Sequence, residues 1–464
     1  MKKVLIWVAL ASVLLSTPLL PGPTVYPTGT TIYKPDRCWN GYTVFQTETR
    51  AGALLIDMNG NVLRDWKHIV GFPVTILPGG QVMGGTVGRV TKEYTHHLGS
   101  DDLIQEDWEG RVVWKFGRAD DVEVEGRRSW SARQNHDFVR EGAPVGYYVP
   151  GMLPRVEGGK TLILSQKSGY WPDVTRDYLP RAARIIEVSW EGEVLWEWMP
   201  AEHFEEFGHS EAAKNTIMRG CKNQHCVFLN TVSYVGPNKW YDAGDERFHP
   251  ENIISDDRGT MIFIISRKTG EIVWKVGPEY TATPALRKLG PIIGPHHAHV
   301  IPKGLPGEGN ILVFDNGGAA GFGAPNPGSP TGEWNALRDY SRVLEFDPQT
   351  LDIVWEYSAR TAGFLPVAED AKFYSHYASG AQRLPNGNTL IAETMYGRII
   401  EVTRESEIVW EYVSPYSVSD KIFSSRMFRA YRVPYEWVPQ LERPEERAVI
   451  PPSNGEFKLS PVSR

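Results

Sequence analysis

Apolar and polar positions follow a short unit that recurs along the chain. Its plainest copy is Glu271–Ile272–Val273–Trp274, reached through a Thr269–Gly270 turn and continued by Lys275–Val276. The unit returns as Arg111–Val112–Val113–Trp114, Glu193–Val194–Leu195–Trp196, Asp352–Ile353–Val354–Trp355 and Glu407–Ile408–Val409–Trp410. A degenerate first copy, 61–66, carries Arg64 in the Trp slot and Trp66 two places on. Side chains two apart share one face of a strand. Trp114 with Phe116, Trp196 with Trp198, Trp355 with Tyr357 and Trp410 with Tyr412 are therefore expected to form buried faces. Lys115, Glu197, Glu356 and Glu411 should point to the wetter side. Six copies of one edge-strand pattern predict six copies of one sheet.

The fifth unit shows the full pattern, with strands expected at 297–301, 310–315, 341–346 and 353–355, and the sixth repeats it from Ala381 to Trp410. Four antiparallel strands per unit, repeated, describe a β-propeller rather than a solenoid. The first unit, which opens at Gly41–Tyr42, has only three strands (43–46, 53–57 and 62–66) around an Asn59–Gly60 turn. Phe428 to Pro434 resembles the missing type, as in Gly380 to Pro385, and should return to pair with 43–46. The predicted fold is all-β, a six-bladed β-propeller of four-stranded antiparallel blades, closed by a C-terminal strand that completes the first blade and removes the open edges. Residues 29–440 are assigned to the propeller and 441–464 to a Pro-rich tail lying as a surface strap. The insertions 168–179, 202–219 and 319–340 read as rim loops, where specificity should reside.

Composition narrows the function classes. The 464 residues carry a net charge of −7 and 23% charged side chains, too hydrophobic a balance for disorder and without the basic footprint of a nucleic-acid binder. Lys2–Lys3 followed by an apolar run from Val4 to Leu15, and then by Leu19–Leu20, reads as a signal peptide or an N-terminal membrane anchor, joined through a Pro-rich linker within 1–28. The expected location is exported, periplasmic or extracellular, with membrane association through residues 4–20 if the segment is retained. Three cysteines exclude a disulfide scaffold; Cys221 and Cys226 are close enough in sequence for one bridge, and three reduced thiols are the other reading.

The candidate chemistry is histidine. His136 opens the third blade, His225 the fourth, His296, His297 and His299 the fifth, and His376 the sixth, while His249 lies beside the second strand of the fourth. First strands of a propeller are innermost, so these side chains should converge on the central channel. Imidazole can attack, or donate a proton, near neutral pH. The bland alternative is that channel histidines hydrogen-bond strand ends. His297 and His299 share a strand face as metal ligands would, but no Asp or Glu lies within 296–300, and no metal is assigned.

Several strings resemble the bacterial arylsulfate sulfotransferase family. They are Gly294–Pro295–His296–His297–Ala298–His299, Asn310 to Gly317, Ser341 to Glu345, Phe373–Tyr374–Ser375, Asn135 to Phe138, and Ser233 to Trp240. The resemblance runs from about Gly41 to Pro439. It implies a six-bladed propeller that moves a sulfuryl group from a phenolic sulfate ester to a phenol through a sulfohistidine, with no cofactor and no nucleotide sulfate donor. It also implies small-molecule aryl sulfate and phenol as the partners. Carried over by position, His297 matches the family's histidine and is expected to attack sulfur. A second channel histidine among His136, His299, His376 and His249 would protonate the leaving phenolate. Asn316 and Arg342 are expected to hold sulfonate oxygens, with His225 and Asn230 completing the binding set. Two departures stand out: Phe228 replaces a family histidine, and Ala319–Ala320–Gly321–Phe322 lacks a family arginine. Losing one donor at a developing oxyanion costs about 10²–10³ in rate. The competing readings are a non-catalytic ligand- or partner-binding propeller that has lost part of this set, and a quinone-cofactor dehydrogenase, which would call for eight blades and a Ca²⁺ site.

Overall fold

The computed structural model describes residues 28–47, 52–86, 102–124, 127–132, 134–220, 226, 228–416 and 426–451. Six antiparallel sheets form the six blades of a β-propeller. From the channel outward, blade I runs Ala430–Val433, Tyr42–Gln46, Ala53–Ile56, Val62–Trp66, and blade II runs Ile69–Leu77, Gln81–Thr86, Leu103–Glu106, Val112–Phe116. Blade III consists of Gln134–Arg140, Thr161–Tyr170, Tyr178–Val188 and Val194–Trp198; blade IV of Leu229–Tyr234, Ile253–Asp257, Ile262–Ile265 and Ile272–Val276. Blade V has Pro295–Val300, Ile311–Asp315, Arg342–Phe346 and Ile353–Tyr357; blade VI has Gly380–Arg383, Thr389–Glu393, Arg398–Val402 and Ile408–Val413.

Ring closure follows the expected register. Tyr42 lies opposite Val433, Thr43 opposite Arg432, Val44 opposite Tyr431 and Phe45 opposite Ala430. Arg432 forms a fully buried ion pair with Glu401 of blade VI and donates to the Thr43 hydroxyl at 3.1 Å. The seam between first and last blades is thus pinned by charge as well as by the ladder.

Blade VI departs from the four-strand pattern, and the fold begins earlier than Gly41. Gly29–Tyr33 adds a fifth strand outside Ile408–Val413, with Tyr33 opposite Trp410. Glu411, expected on a wet face, is consequently buried: it accepts from the Thr31 hydroxyl at 2.5 Å and from Arg398 Nε at 2.6 Å. Val449 of the tail exchanges two backbone hydrogen bonds with Tyr33, and Arg447 pairs with the Asn59 side chain. The three insertions also carry regular structure. Thr161–Tyr170 and Tyr178–Val188 are extended strands, Glu211–Arg219 is a helix capped by Ser210, and Ala320–Phe322 pairs with Glu333–Ala336 as a hairpin.

The recurring tryptophan has a physical role beyond burial. The indole N–H of Trp114 donates to Trp190 O, Trp198 to Gly270 O, Trp274 to Pro348 O, Trp355 to Arg404 O and Trp410 to Met58 O, at 2.7–2.9 Å. Each bond reaches from the outer strand of one blade to the last turn of the next. Blade I is the exception: buried Trp66 Nε1 has no partner among the described residues, and Arg64 instead stacks its guanidinium 4.5 Å from the Trp108 ring of blade II. Trp410→Phe should therefore lose about 1 kcal/mol more than Trp66→Phe, because only the first removes a hydrogen bond that is made, although Met58 O keeps the Thr30 hydroxyl at 3.1 Å. Denaturant midpoints of the two variants measure the difference.

Cys226 is disulfide-bonded and Cys38 is a free thiol; Cys221 lies outside the described residues. Among the described residues no helix is long and apolar enough to cross a membrane, and the segment 4–20 lies outside them.

Candidate functional site

The site is built where the inner strands begin. In blades III and V those strands break register, between Gln134 and Phe138 and between His296 and His299. At each break a histidine takes a left-handed backbone, His136 at φ 60° and His297 at φ 58°. Non-glycine residues in that region are strained and persist only where their surroundings hold them. The surroundings are visible. His297 N–H donates to Thr231 Oγ1 at 3.1 Å and Ala298 N–H to Asp256 Oδ2 at 2.8 Å. Around His136, the next residue Asp137 accepts from Val232 N–H at 3.0 Å and pairs with Arg429 at 3.0 Å. Burial raises Asp256 to about 8, against the hydrogen bonds from Thr231 and Ala298.

Hydrogen bonding fixes the tautomers of three histidines. His297 Nδ1 accepts from Ala381 N–H at 3.3 Å, so its proton sits on Nε2 and faces Tyr431 Oη at 3.3 Å. Gly380 permits this approach, since a Cβ there would lie 3.1 Å from His297 Nδ1. His299 donates from Nδ1 to His297 O and accepts at Nε2 from Tyr147 O–H, both at 2.8 Å. His296 donates from Nδ1 to Asn316 Oδ1 at 2.8 Å and accepts at Nε2 from Ala378 N–H at 3.2 Å. None of the three presents a lone pair in this arrangement. The expectation that His297 attacks sulfur meets an imidazole only 2% exposed with both nitrogens engaged.

His136 is buried to the same degree, 4% exposed, but among aromatic rings and cations. Its ring packs edge-on against Phe228 at 5.0 Å and Phe428 at 5.6 Å. Burial pushes its pKa well below the usual histidine range, and His296, Arg258, Arg429 and Arg181 push it the same way. It is a neutral imidazole at pH 7 inside a positive field. His376 lies half-buried at the approach to the blade VI inner strand, beside Tyr374 and Tyr377, lowered by burial and by Arg426.

Other expected site residues are either distant or already engaged. His249 lies in the connection from Tyr234 to Ile253, at the far end of blade IV, against the Tyr241 ring and Glu251 N–H. Arg342 is tied to Asp315 at 2.7 Å, which also pairs with Arg338. Asn316 donates to Ser375 O and Ala378 O while accepting from His296, and Asn230 donates to Pro295 O at 2.9 Å. These amides and Arg342 organise the blades because stronger local partners claim them. His225 lies outside the described residues. Among the described residues no three His, Cys, Asp or Glu side chains are grouped to hold a metal ion.

Arg429, Arg258, Arg181 and Tyr431 were not singled out from the sequence. Arg429 had a legible signal, a charged residue one place ahead of an inner strand. Arg258 sits in Asp256–Asp257–Arg258–Gly259, which reads as an ordinary surface turn.

Among solved structures, a protein of unknown function from Bacteroides caccae aligns at 12% identity over 85% of this chain and 99% of its own, with a TM-score of 0.45. A streptogramin B lyase aligns at 11% identity over 85% of each chain, TM-score 0.36. A catalytically inactive variant of virginiamycin B lyase from Staphylococcus aureus, with quinupristin, aligns at 9% over 83% of this chain and 88% of its own, TM-score 0.37. No curated protein matches the chain. The sequence model of the family described as arylsulfotransferase (ASST) matches residues 164–415, more than half of the chain. The chain belongs to the arylsulfotransferase family.

Proposed function

We propose that this protein transfers a sulfuryl group from a phenolic sulfate ester to a phenolic acceptor, with His136 as the nucleophile. The observation that carries the assignment is the neutral, buried His136 imidazole set among Arg258, Arg429 and Arg181. A sulfate ester brings a permanent negative charge, which those cations attract, and sulfur then meets an uncharged nitrogen. The His136 nitrogen forms an N–S bond as the S–O bond to the aryl group breaks, and the phenolate leaves with the electron pair. In the second half the acceptor oxygen attacks sulfur, the N–S bond breaks, and His376 takes the phenolic proton. Preorganised guanidinium groups favour both transition states, because charge moves without solvent having to reorganise. His297, held as the Nε2–H tautomer, positions Tyr431 and the blade VI strand rather than attacking. The apolar N-terminal run and the bonded Cys226 support an exported protein working in the periplasm or outside the cell.

The test is release of nitrophenolate from 4-nitrophenyl sulfate, with phenol as acceptor and phenyl sulfate as the second product. Nitrophenolate release matched by phenyl sulfate supports transfer; no release from any aryl sulfate contradicts it. The pH profile follows from the same site. A base with its pKa pushed down stays unprotonated at lower pH, so its acid limb moves away from the usual 6.5. kcat/KM should therefore show no inflection near pH 6.5 and begin to fall only well below it. An acid limb at pH 6.5 would place the nucleophile outside this buried, cationic setting.

A further inference from the structure

Beside the channel mouth, blades V and VI display a cluster of exposed apolar side chains. Inner strands begin at that face, so the connections 316–341, 358–379 and 394–397 lie on it as well. They carry Leu337 (68% exposed), Leu365 (66%), Val367 (83%) and Tyr396 (55%). Ring contacts draw the segments together. Arg338 and Arg360 lie over the same Tyr340 ring, at 4.7 and 5.1 Å, and Lys372 lies over Phe364 at 5.5 Å. Burial raises the pKa of the Tyr374 hydroxyl, and neighbouring Asp339 and Tyr396 raise it further. Val367 is held in a shape its branched side chain resists. Its φ is 68°, and Ala368 N–H donates to Pro366 O at 2.8 Å, closing a γ-turn around it. The chain that precedes the propeller leaves from the same face. Gly29, the first residue of the strand added to blade VI, lies opposite Val413, and Val413 lies opposite Arg398, two residues from Tyr396. Only residues 21–28 separate Gly29 from the apolar run 4–20, and eight residues span at most about 29 Å.

We infer that this rim of blades V and VI is a contact surface for a lipid bilayer, with Leu337, Leu365, Val367 and Tyr396 seated at the headgroup boundary. The choice of a bilayer rests on the apolar run and the short link to it, and not on the transferase reading. A run that enters a membrane holds the mouth face of blade VI within the reach of that link, and the exposed apolar side chains lie on that face. Arg360 is paired with Asp370 at 2.6 Å and Lys372 with Glu369 at 3.9 Å. Insertion of apolar side chains, rather than attraction to acidic headgroups, therefore holds the contact. The channel mouth then opens onto the lipid surface.

The test uses the full chain reconstituted into phosphatidylcholine vesicles, with Cys38→Ser removing the free thiol. A fluorophore is attached at Leu365→Cys or at Leu153→Cys. Leu153 is 64% exposed in the connection from Arg140 to Thr161, at the opposite end of the blades. Lipids carrying a nitroxide near the headgroup should quench the Leu365→Cys label about fivefold more than the Leu153→Cys label. Adding Leu337→Glu and Val367→Glu should bring the Leu365→Cys label down to the level of Leu153→Cys, because charged side chains are costly to seat in lipid. Equal quenching at the two sites, or quenching that the glutamates leave unchanged, overturns the contact. A full chain that does not enter the vesicles overturns it too. Disulfide cross-linking of two copies through Leu365→Cys, in place of lipid quenching, gives the face to a second copy and overturns the bilayer as its partner.

Discussion

Arg429→Met is expected to destabilise the protein by about 3–5 kcal/mol, the usual cost of leaving one partner of a buried ion pair behind. Arg429 is 1% exposed and Asp137 is 4% exposed, with 3.0 Å between them. Methionine fills much of the same length but offers no charge. Asp137 would then keep only the backbone donors of Val232 and Phe138, both at 3.0 Å. The loss should reach function as well. Arg429 also donates toward Tyr431 Oη and Asn230 O at 3.4 Å, and its charge is part of the field that keeps His136 neutral. Urea unfolding checks the first part, and a double-mutant cycle separates pair loss from general damage. Arg429→Met combined with Asp137→Asn should be more stable than Arg429→Met alone, since no carboxylate is then stranded. An Arg429→Met midpoint matching the parent's would contradict the account of how the closing strand is anchored across the channel.

The blades were legible because each outer strand repeats one chemical need. A tryptophan at a fixed place closes a hydrogen bond to the next blade, so the residue recurs even where its neighbours change. The third blade shows the tolerance of that rule: Trp198, not Trp196, makes the bond. The closing strand was legible for a related reason, since the first unit lacked an inner strand and 428–434 carried the right pattern. Gly29–Tyr33 was not legible. Its Gly-Thr-Thr-Ile-Tyr sequence copies no unit, and its partners Trp410 and Tyr412 lie far along the chain. The buried Glu411 depends on that strand and was missed with it.

His136, His296, His297 and His299 lie near one another because their inner strands begin at one end of the channel, whereas His249 lies at the far end of blade IV. The individual states of these histidines were not legible. Which nitrogen of His297 carries the proton is decided by Ala381 of blade VI and Tyr431 of blade I. The state of His299 is decided by Tyr147, and that of His296 by Asn316 and Ala378. Such pairings are set by how blades meet, which strand periodicity does not encode. Arg258 was hidden for another reason: a turn residue by sequence, it lies beside Phe228 because the first two strands of blade IV pair there, with Arg258 N–H donating to Phe228 O at 3.1 Å.

The second large effect is catalytic. His136→Ala should lower turnover of 4-nitrophenyl sulfate by roughly 10⁴-fold or more, because the nitrogen proposed to accept the sulfuryl group is gone while the neighbouring cations remain. His68→Ala should leave turnover unchanged, since His68 pairs with Glu106 beyond the outer strand of blade I. His297→Ala should reduce the rate through looser positioning while a covalent intermediate still forms. The sulfuryl adduct itself reads this most directly. Intact mass after an acid-free quench with 4-nitrophenyl sulfate, without acceptor, should show one added sulfuryl group in the parent and in His297→Ala, and none in His136→Ala. An adduct that persists in His136→Ala would contradict the assignment of the nucleophile and move it to another residue.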